Sequence, residues 1–508
     1  MAHDINFDRF LPEGQHLYPF QHAGVAYAVW QSQHGLGTMI ADEQGLGKTI
    51  QAIVAAKVAA AIRKQEAEAT KVLIIGKAAL KLNWAREINR AAPEWDVQIL
   101  AGKRPYELIG NVAIISFNLL KVWADALIAE GFTTLIIDES HCVKDARTQQ
   151  TKAAMKIAAD IRSRQGLVLL LSGTPLLNRP VELVSQLQIM GRIEEISPPP
   201  RYGTTDQDWE FAFKNSFCNP TKVQRGRKTY TEYKGSSRED LLSNRLRNRC
   251  MIRRLRKEVL SMEDTHRVPV SLSLNGDLDP YWQIEEHFVA KDPRSEALEL
   301  LTALRQSVAL CKIPAAVEWV QDFLEENDGK KLVVWAWHVE VQQAITAALN
   351  AAGIEAIYLK GEQDKGRIEE AKARFNEGSA QVIVCSLQAH REGHTLVGNG
   401  SNVTDSCFVE LPWHPGALSQ AEDRINRIGQ NADVVFAHNL TVPGTVDQWL
   451  AELIDEKWAT FRGVVNGTIV DAESQSVRDA VAAKLAAHLA AKYPAKYGHL
   501  VAQEGDLA

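Results

Sequence analysis

The stretch Ile40 to Ile50, IADEQGLGKTI, constrains this chain more than any other. A short apolar segment, Thr38 to Ala41, runs into a glycine-rich loop closed by Gly45, Gly47, Lys48 and Thr49. Ile50, Ile53, Val54 and Val58 then recur at helical spacing, so the order is strand, phosphate loop, helix. In such a loop backbone N–H groups and the helix N-terminus face phosphates, while Lys48 can reach the β/γ oxygens and the Thr49 hydroxyl can ligate Mg²⁺. The pattern predicts a bound nucleoside triphosphate. One position departs from the general form G-x-x-x-x-G-K-[ST]: Asp42 stands where the first glycine belongs.

A length of 508 residues allows two to four domains. No apolar run approaches the ~18 residues of a membrane span, which predicts a soluble chain with no membrane partner. The N-terminus lacks a basic segment followed by an apolar core, which speaks against a secretory signal. Six cysteines lie far apart with no C-x-x-C pair, excluding a zinc module of that form and a disulfide framework. A reducing, cytoplasmic location follows as an expectation. Net charge is −6, so a nucleic-acid partner has to be sought in local charge rather than in the total.

Upstream of the loop, Leu17-Tyr18-Pro19-Phe20-Gln21 leads into a helical stripe. The Gln21 amide can donate to and accept from an adenine edge, or it can simply open the helix. Downstream, the apolar runs Lys71 to Gly76, Val112 to Ser116 and Leu167 to Leu171 alternate with helical patterns. This alternation predicts a doubly wound parallel sheet. Thr134 to Asp138 delivers Asp138 and Glu139 at the end of another strand, at the edge where open parallel sheets hold ligands. There Asp138 can hold Mg²⁺ and Glu139 can orient and deprotonate the attacking water. Ser172 and Thr174 lie in a polar turn that follows the Leu167 to Leu171 strand. Their hydroxyls can couple the nucleotide to a bound polymer, or form a plain turn.

The segments DEQGLGKT, DESH and LSGTP, in this order, resemble the ATPase lobe of helicase superfamily two, specifically the Swi/Snf-type DNA translocases. The second half is similar too: Leu332 to Trp337, Val382 to Ser386 and Cys407 to Leu411 read as strands of a second RecA-like lobe. The string Gln420 to Gln430, QAEDRINRIGQ, is highly specific to that family. DESH, Lys312 to Val339 and Cys250 to Leu260 look nearest to the annealing-helicase branch. Ala389 to Leu396 departs from relatives at His390 and His394 but keeps Gly393 and Thr395. The resemblance implies two RecA-like α/β lobes with helical insertions between them. It also implies Arg424 and Arg427 as arginine fingers, with Gln420 and Gly393 beside the nucleotide. The implied activity is ATP-driven translocation on double-stranded or branched DNA. The rivals are a strand-separating DNA or RNA helicase and an ATP-driven remodeller of a protein–DNA complex.

The expected domain bounds are residues 1–196 for the first lobe, 197–267 for a basic helical insertion and 268–330 for a linker and helical protrusion. Residues 331–470 form the second lobe and 471–508 an Ala-rich helical tail. Between the lobes, basic residues follow with few acids among them: Lys222, Arg225, Arg227, Lys228, Lys234, Arg238, Arg245, Arg247, Arg249, Arg253, Arg254, Arg256 and Lys257. Clustered Arg and Lys with Tyr230 and Tyr233 interleaved predict a phosphate-tracking face, with Arg225, Arg227 and Lys228 as its chosen contacts. Trp449, Leu450, Leu453 and Ile454 mark an amphipathic helix near the C-terminus. The absence of accessory modules points to a monomer of bacterial or viral origin in the host cytoplasm, nucleoid-associated and working alone or through a recruiting protein.

Overall fold

Runs of Val, Ile and Leu that are apolar at every position, rather than alternately, can be strands only if both faces of their sheet are covered. The computed structural model builds two such sheets. It describes residues 6–63, 70–173, 179–225, 228–233, 235–260, 265–274, 278–289, 293–359, 365–388, 396–399, 402–413, 415–428, 430–466 and 477–492. The chain divides into two units, Met1–Leu260 with Thr460–Ser474 and Ser261–Ala459 with Gln475–Ala508.

In the first unit the strands are β1 (Thr38–Ile40), β2 (Val72–Gly76), β3 (Val97–Ile99), β4 (Val112–Ser116), β5 (Thr134–Asp138) and β6 (Leu167–Leu171). A hairpin, β7 (Thr221–Arg225) and β8 (Lys228–Glu232), and the short β9 (Met251–Ile252) follow. Seven strands form one sheet in the order β3-β4-β2-β5-β6-β1-β9, every pairing parallel. Alternate residues serve opposite cores. Leu73, Ile75, Leu135, Ile137 and Leu170 pack with the helices Leu120–Ala129 and Gln149–Ser163. Val72, Ile74, Ile136, Leu169 and Leu171 pack with the helices Pro19–Ser32, Lys48–Ile62 and Lys81–Ala91. Each such side chain contributes about 1.5–3 kcal/mol by leaving water.

The second unit repeats the plan with β10 (His266–Ser271), β11 (Leu332–Ala336), β12 (Ala356–Leu359), β13 (Val382–Ser386), β14 (Asp405–Phe408) and β15 (Phe436–Thr441). Their order is β10-β15-β14-β11-β13-β12, again all parallel. Pro269 lies in β10, an edge strand, where a residue without an N–H is tolerated.

Segment 197–267 is not purely helical. It holds the helices Asp206–Phe217 and Glu239–Arg249, but also the antiparallel hairpin β7–β8 and β9, the strand that completes the first sheet beside β1. Nor is its basic run one surface. Arg253 and Arg256 are buried, and Arg254 is ion-paired to Asp42. Near the C-terminus, helix Val477–Lys492 places Val481, Leu485 and Leu489 in one core with Leu300 and Leu304. Lys492 also reaches the fully buried Glu285 at 2.7 Å, so this helix is part of the second unit's body.

Lys312, wholly buried, holds the second unit together from within. Its Nζ donates to Asp447 Oδ2 at 2.6 Å and to the Leu440 carbonyl at 2.8 Å. Removing one partner of a buried pair strands the other charge, whereas an apolar replacement of both does not. Lys312→Met is therefore expected to cost about 3–5 kcal/mol in denaturant unfolding, and Lys312→Met with Asp447→Leu to recover most of that loss.

Candidate active site

Strands β5, β6 and β1 are consecutive neighbours, so their C-terminal ends deliver three segments to one edge of the first sheet. From β1 comes the phosphate loop, from β5 the Asp138-Glu139 pair, and from β6 Ser172. Lys48 and Thr49 open helix Lys48–Ile62, whose first N–H groups have no helical partner and are suited to an anion. Gly47 is in the left-handed region at φ +71°, and a Cβ there would stand 2.4 Å from Gln21 Nε2. Only glycine meets both conditions.

Gln21 is 3% exposed, and its amide is engaged with the protein. Its Oε1 accepts from the Tyr18 N–H at 2.9 Å and its Nε2 donates to the Leu46 carbonyl at 3.1 Å. What the structure displays is therefore a brace on the phosphate loop. The Lys48 ammonium donates to the carbonyls of Asp42 and Glu43 at 2.8 and 3.0 Å.

The carboxylates are set by their surroundings. Burial, with the charge of Glu139 beside it, pushes Asp138 up to about 6, against the pull of Trp84, the Glu139 N–H and Lys48. For Glu139 burial works upward too, but the adjacent His141, then Lys77 and Lys48, hold it down at about 2. His141 Nδ1 stands 3.2 Å from Glu139 Oε2, and in spite of burial its contacts with Cys142 and Glu139 raise it to about 9. Near pH 7 this is an imidazolium facing a carboxylate. Glu139 also has φ +50° and ψ +55°, a left-handed backbone that costs a non-glycine residue roughly 1–2 kcal/mol. Such strain at the end of a buried strand turns the side chain out of the strand's alternation. Ser172 joins the group through its Oγ, 3.4 Å from His141 Nδ1.

Trp84 was not legible as a functional residue. Its indole N–H donates to Asp138 Oδ2 at 2.8 Å, while Asp138 Oδ1 accepts the Glu139 N–H at 2.9 Å, so both oxygens are oriented from the protein side. The only hint was a tryptophan in the helix after β2, and its partner became visible once β2 and β5 proved to be neighbours. The donors at this edge, a threonine hydroxyl and acidic oxygens, are hard ligands that fit Mg²⁺. Among the described residues no three His, Cys, Asp or Glu side chains form a metal cage.

In the second unit Gln420 is buried at the end of helix Pro415–Glu422, and Arg424 Nε donates to the Gln420 carbonyl at 2.9 Å. Arg427 follows three residues on and is partly exposed. Two other members of this string are structural. Glu422 receives both Arg267 Nε and Nη2, at 2.6 and 2.9 Å, and Gln430 bonds the carbonyls of Val403 and Ile425. Arg225 and Lys228 stand opposite each other at the end of the β7–β8 hairpin. Thr174, Arg227 and Gly393 lie outside the described residues.

Residues 20–291, just over half of the chain, match the SNF2-related domain, and residues 315–429 match the helicase conserved C-terminal domain. The chain belongs to the SNF2-related family. Use of a nucleotide comes with that membership. Among curated relatives, the Bos taurus SWI/SNF-related matrix-associated actin-dependent regulator of chromatin subfamily A-like protein 1 is 32% identical over 87% of this chain and 44% of its own length. The Mus musculus DNA annealing helicase and endonuclease ZRANB3 is 30% identical over 90% of this chain and 42% of its own length. The chain thus spans less than half the length of these relatives. The Sulfolobus solfataricus SWI2/SNF2 ATPase core in complex with dsDNA aligns over 92% of this chain and 95% of its own, at 20% identity and TM-score 0.40. The expectation of a cytoplasmic protein of bacterial or viral origin is corrected by these relatives. They come from cattle and mouse, with a further one in Caenorhabditis elegans, and the first is named for chromatin, a nuclear material. A compartment read from unpaired cysteines and a missing signal could not separate cytoplasm from nucleus, since both are reducing.

Two outcomes follow. Trp84→Phe, which removes the N–H and keeps a ring, should lower the turnover number roughly tenfold while KM for nucleotide changes much less, as steady-state kinetics would read. His141, raised above its ordinary value, contributes stability that is complete below about pH 6.5 and fades as pH rises through about 9. The melting-temperature gap between wild type and His141→Gln should therefore be widest near pH 6, worth about 3 kcal/mol, and close by pH 10.

Proposed function

We propose that this chain is a DNA-dependent ATPase that translocates on double-stranded DNA, with ATP and Mg²⁺ at the edge formed by β5, β6 and β1. The observation that carries this reading is Glu139, held ionised by His141 on the same sheet edge as Lys48. Thr49 and Asp138 would hold Mg²⁺, which would supply neutralisation of the charge that develops on the transferring phosphoryl group. Lys48 exchanges its bonds to the Asp42 and Glu43 carbonyls for phosphate oxygens. Glu139 accepts a proton from the attacking water, and His141 holds it ionised and in position at some cost in basicity. Trp84 fixes the Asp138 carboxylate. Arg424 and Arg427 are proposed as the fingers that stabilise the transferring phosphoryl group.

The polymer is proposed as duplex or branched DNA. Family membership and the name of the annealing relative support this reading, as does the hairpin with Lys222 and Tyr230 exposed and Arg225 and Lys228 opposed at its tip. Phosphate contacts from such a hairpin give sequence-independent affinity. Ser172, beside His141, and Thr174 are proposed to relay polymer contact to the catalytic carboxylate. Gln21, Gly45, Gly47, Gly393 and Gln420 complete the proposed nucleotide site. A recruiting protein, monomeric action and strand annealing belong to the same proposal.

Duplex DNA is expected to stimulate ATP hydrolysis more than single-stranded DNA or RNA, and ATP to drive release of a third strand from a triplex without separating a tailed duplex. Arg427→Ala should still bind ATP and DNA but lose about 10³ or more of the stimulated rate. Robust separation of the tailed duplex with no triplex release would assign the chain to the strand-separating helicases instead.

A further inference from the structure

We propose that Arg254 is the positioning residue of the phosphate loop, and that through Asp42 it ties nucleotide occupancy to the segment by which the chain leaves the first unit. This rests on reading the loop as the nucleotide site. The general phosphate-loop pattern has glycine at position 42, yet here an aspartate sits there with no exposure at all. Its four hydrogen bonds come from two residues. Oδ1 accepts from Arg254 Nε at 2.8 Å and from the Arg254 backbone N–H at 3.1 Å. Oδ2 accepts from Arg254 Nη2 and from Gln51 Nε2, the latter at 3.1 Å. Arg254 Nη2 donates in addition to Gln51 Oε1 at 2.9 Å, Nη1 donates to the Phe20 carbonyl, and the guanidinium lies 5.1 Å from the Phe20 ring centre. One guanidinium thus joins the loop, the phosphate-loop helix and helix Pro19–Ser32.

The backbone continues the same attachment. Beyond the paired residues of β1 and β9, Ala41 N–H donates to the Ile252 carbonyl at 2.7 Å and Glu43 N–H to the Arg254 carbonyl at 3.0 Å. Arg256 N–H returns a bond to Glu43 Oε2 at 2.7 Å. Arg253 Nη1 donates to the carbonyls of Ala41 and Gly173 at 2.6 and 2.9 Å, which brings in the turn after β6. Residues 252–256 therefore grip Asp42 and Glu43 from the side. The carbonyls of those same two residues hold the Lys48 ammonium. When Lys48 turns to phosphate oxygens, both carbonyls lose a charged donor, and that change falls on the residues that Arg254 and Arg256 hold.

A purely stabilising role is a poor account of this pair. Burying a carboxylate completely costs several kcal/mol, and apolar residues of similar volume are often the more stable choice. A bidentate Arg–carboxylate pair instead fixes direction, which a loop that must present N–H groups and a lysine to phosphates requires. Space is reserved for it: a Cβ on Gly24 would stand 2.1 Å from Gln51 Oε1 and 2.8 Å from Arg254 Nη2. The chain passes into the second unit shortly after, following Leu260, so the clamp lies on a covalent route between the units.

The test uses the full chain and its variants Asp42→Asn, Asp42→Gly, Arg254→Lys and Gly24→Ala, each checked for folding by thermal melt. Affinity for a fluorescent ATP analogue with Mg²⁺ is measured well below the melting temperature. Hydrogen exchange of the Arg254 and Arg256 amides is followed with and without that nucleotide. Each variant is expected to bind on the order of tenfold to a hundredfold more weakly, Asp42→Gly included although it restores the general pattern. Gly24→Ala displaces the clamp without removing a charge and keeps the test open if the charge variants fail to fold. In wild type, nucleotide should change exchange at Arg254 and Arg256, and Asp42→Asn should uncouple that response. Wild-type affinity in folded Asp42→Gly and Gly24→Ala, or exchange at 254–256 indifferent to bound nucleotide, would overturn the clamp alone. A wild-type chain that binds no nucleotide, or binds it equally as Lys48→Ala, would overturn the site assignment beneath it.

Discussion

Parallel pairing of β5, β6 and β1 is the constraint on which the first unit's chemistry depends. Each strand runs the same way, so three segments far apart in sequence emerge at one edge: residues near 42–49, near 138–141 and at 172–173. The all-apolar strands make this register firm, because alternate residues are committed to the two opposite cores. A slip by one residue would exchange those faces. The edge then concentrates charge that burial alone would disfavour. Glu139 and Lys48 act on Asp138, and His141 and Lys48 act on Glu139, and the result is an ionised Glu139 beside a more readily protonated Asp138. Two neighbouring carboxylates pushed apart in this way are suited to different roles.

Much of this was legible in the sequence because the informative residues are contiguous. Strand-length apolar runs, the GKT loop and DESH each sit within a few residues, and their order specified two parallel sheets. Short or pattern-poor elements were not legible. β9 has two residues, too few to show a period, and β10, HRVPVS, carries a proline that argues against a strand unless it lies at an edge. The hairpin β7–β8 is polar on both faces and reads as an insertion. Partners distant in sequence were beyond reach as well: Trp84 with Asp138, Lys312 with Asp447, and Arg254 with Asp42 are joined only by topology.

The basic run shows how charge can mislead. From Lys222 to Lys257 it reads as one surface for phosphate, but its last arginines turn inward and serve a loop two hundred residues earlier. Clustered arginine looks the same in sequence whether its anion is a nucleic acid or a buried aspartate. Asp42, noted only as a missing glycine, was the other half of that signal. The odd residue in the phosphate loop and the excess of arginine after β9 are explained together.

The central claim is that the ionised Glu139 at this edge is the base for hydrolysis at a site that binds ATP independently of it. Single-turnover hydrolysis by Glu139→Gln, alongside its equilibrium affinity for ATP with Mg²⁺, tests that claim most directly. The account predicts affinity within a few-fold of wild type and a hydrolysis step slowed by about 10² or more. A Glu139→Gln chain that turns over bound ATP at close to the wild-type rate would contradict it.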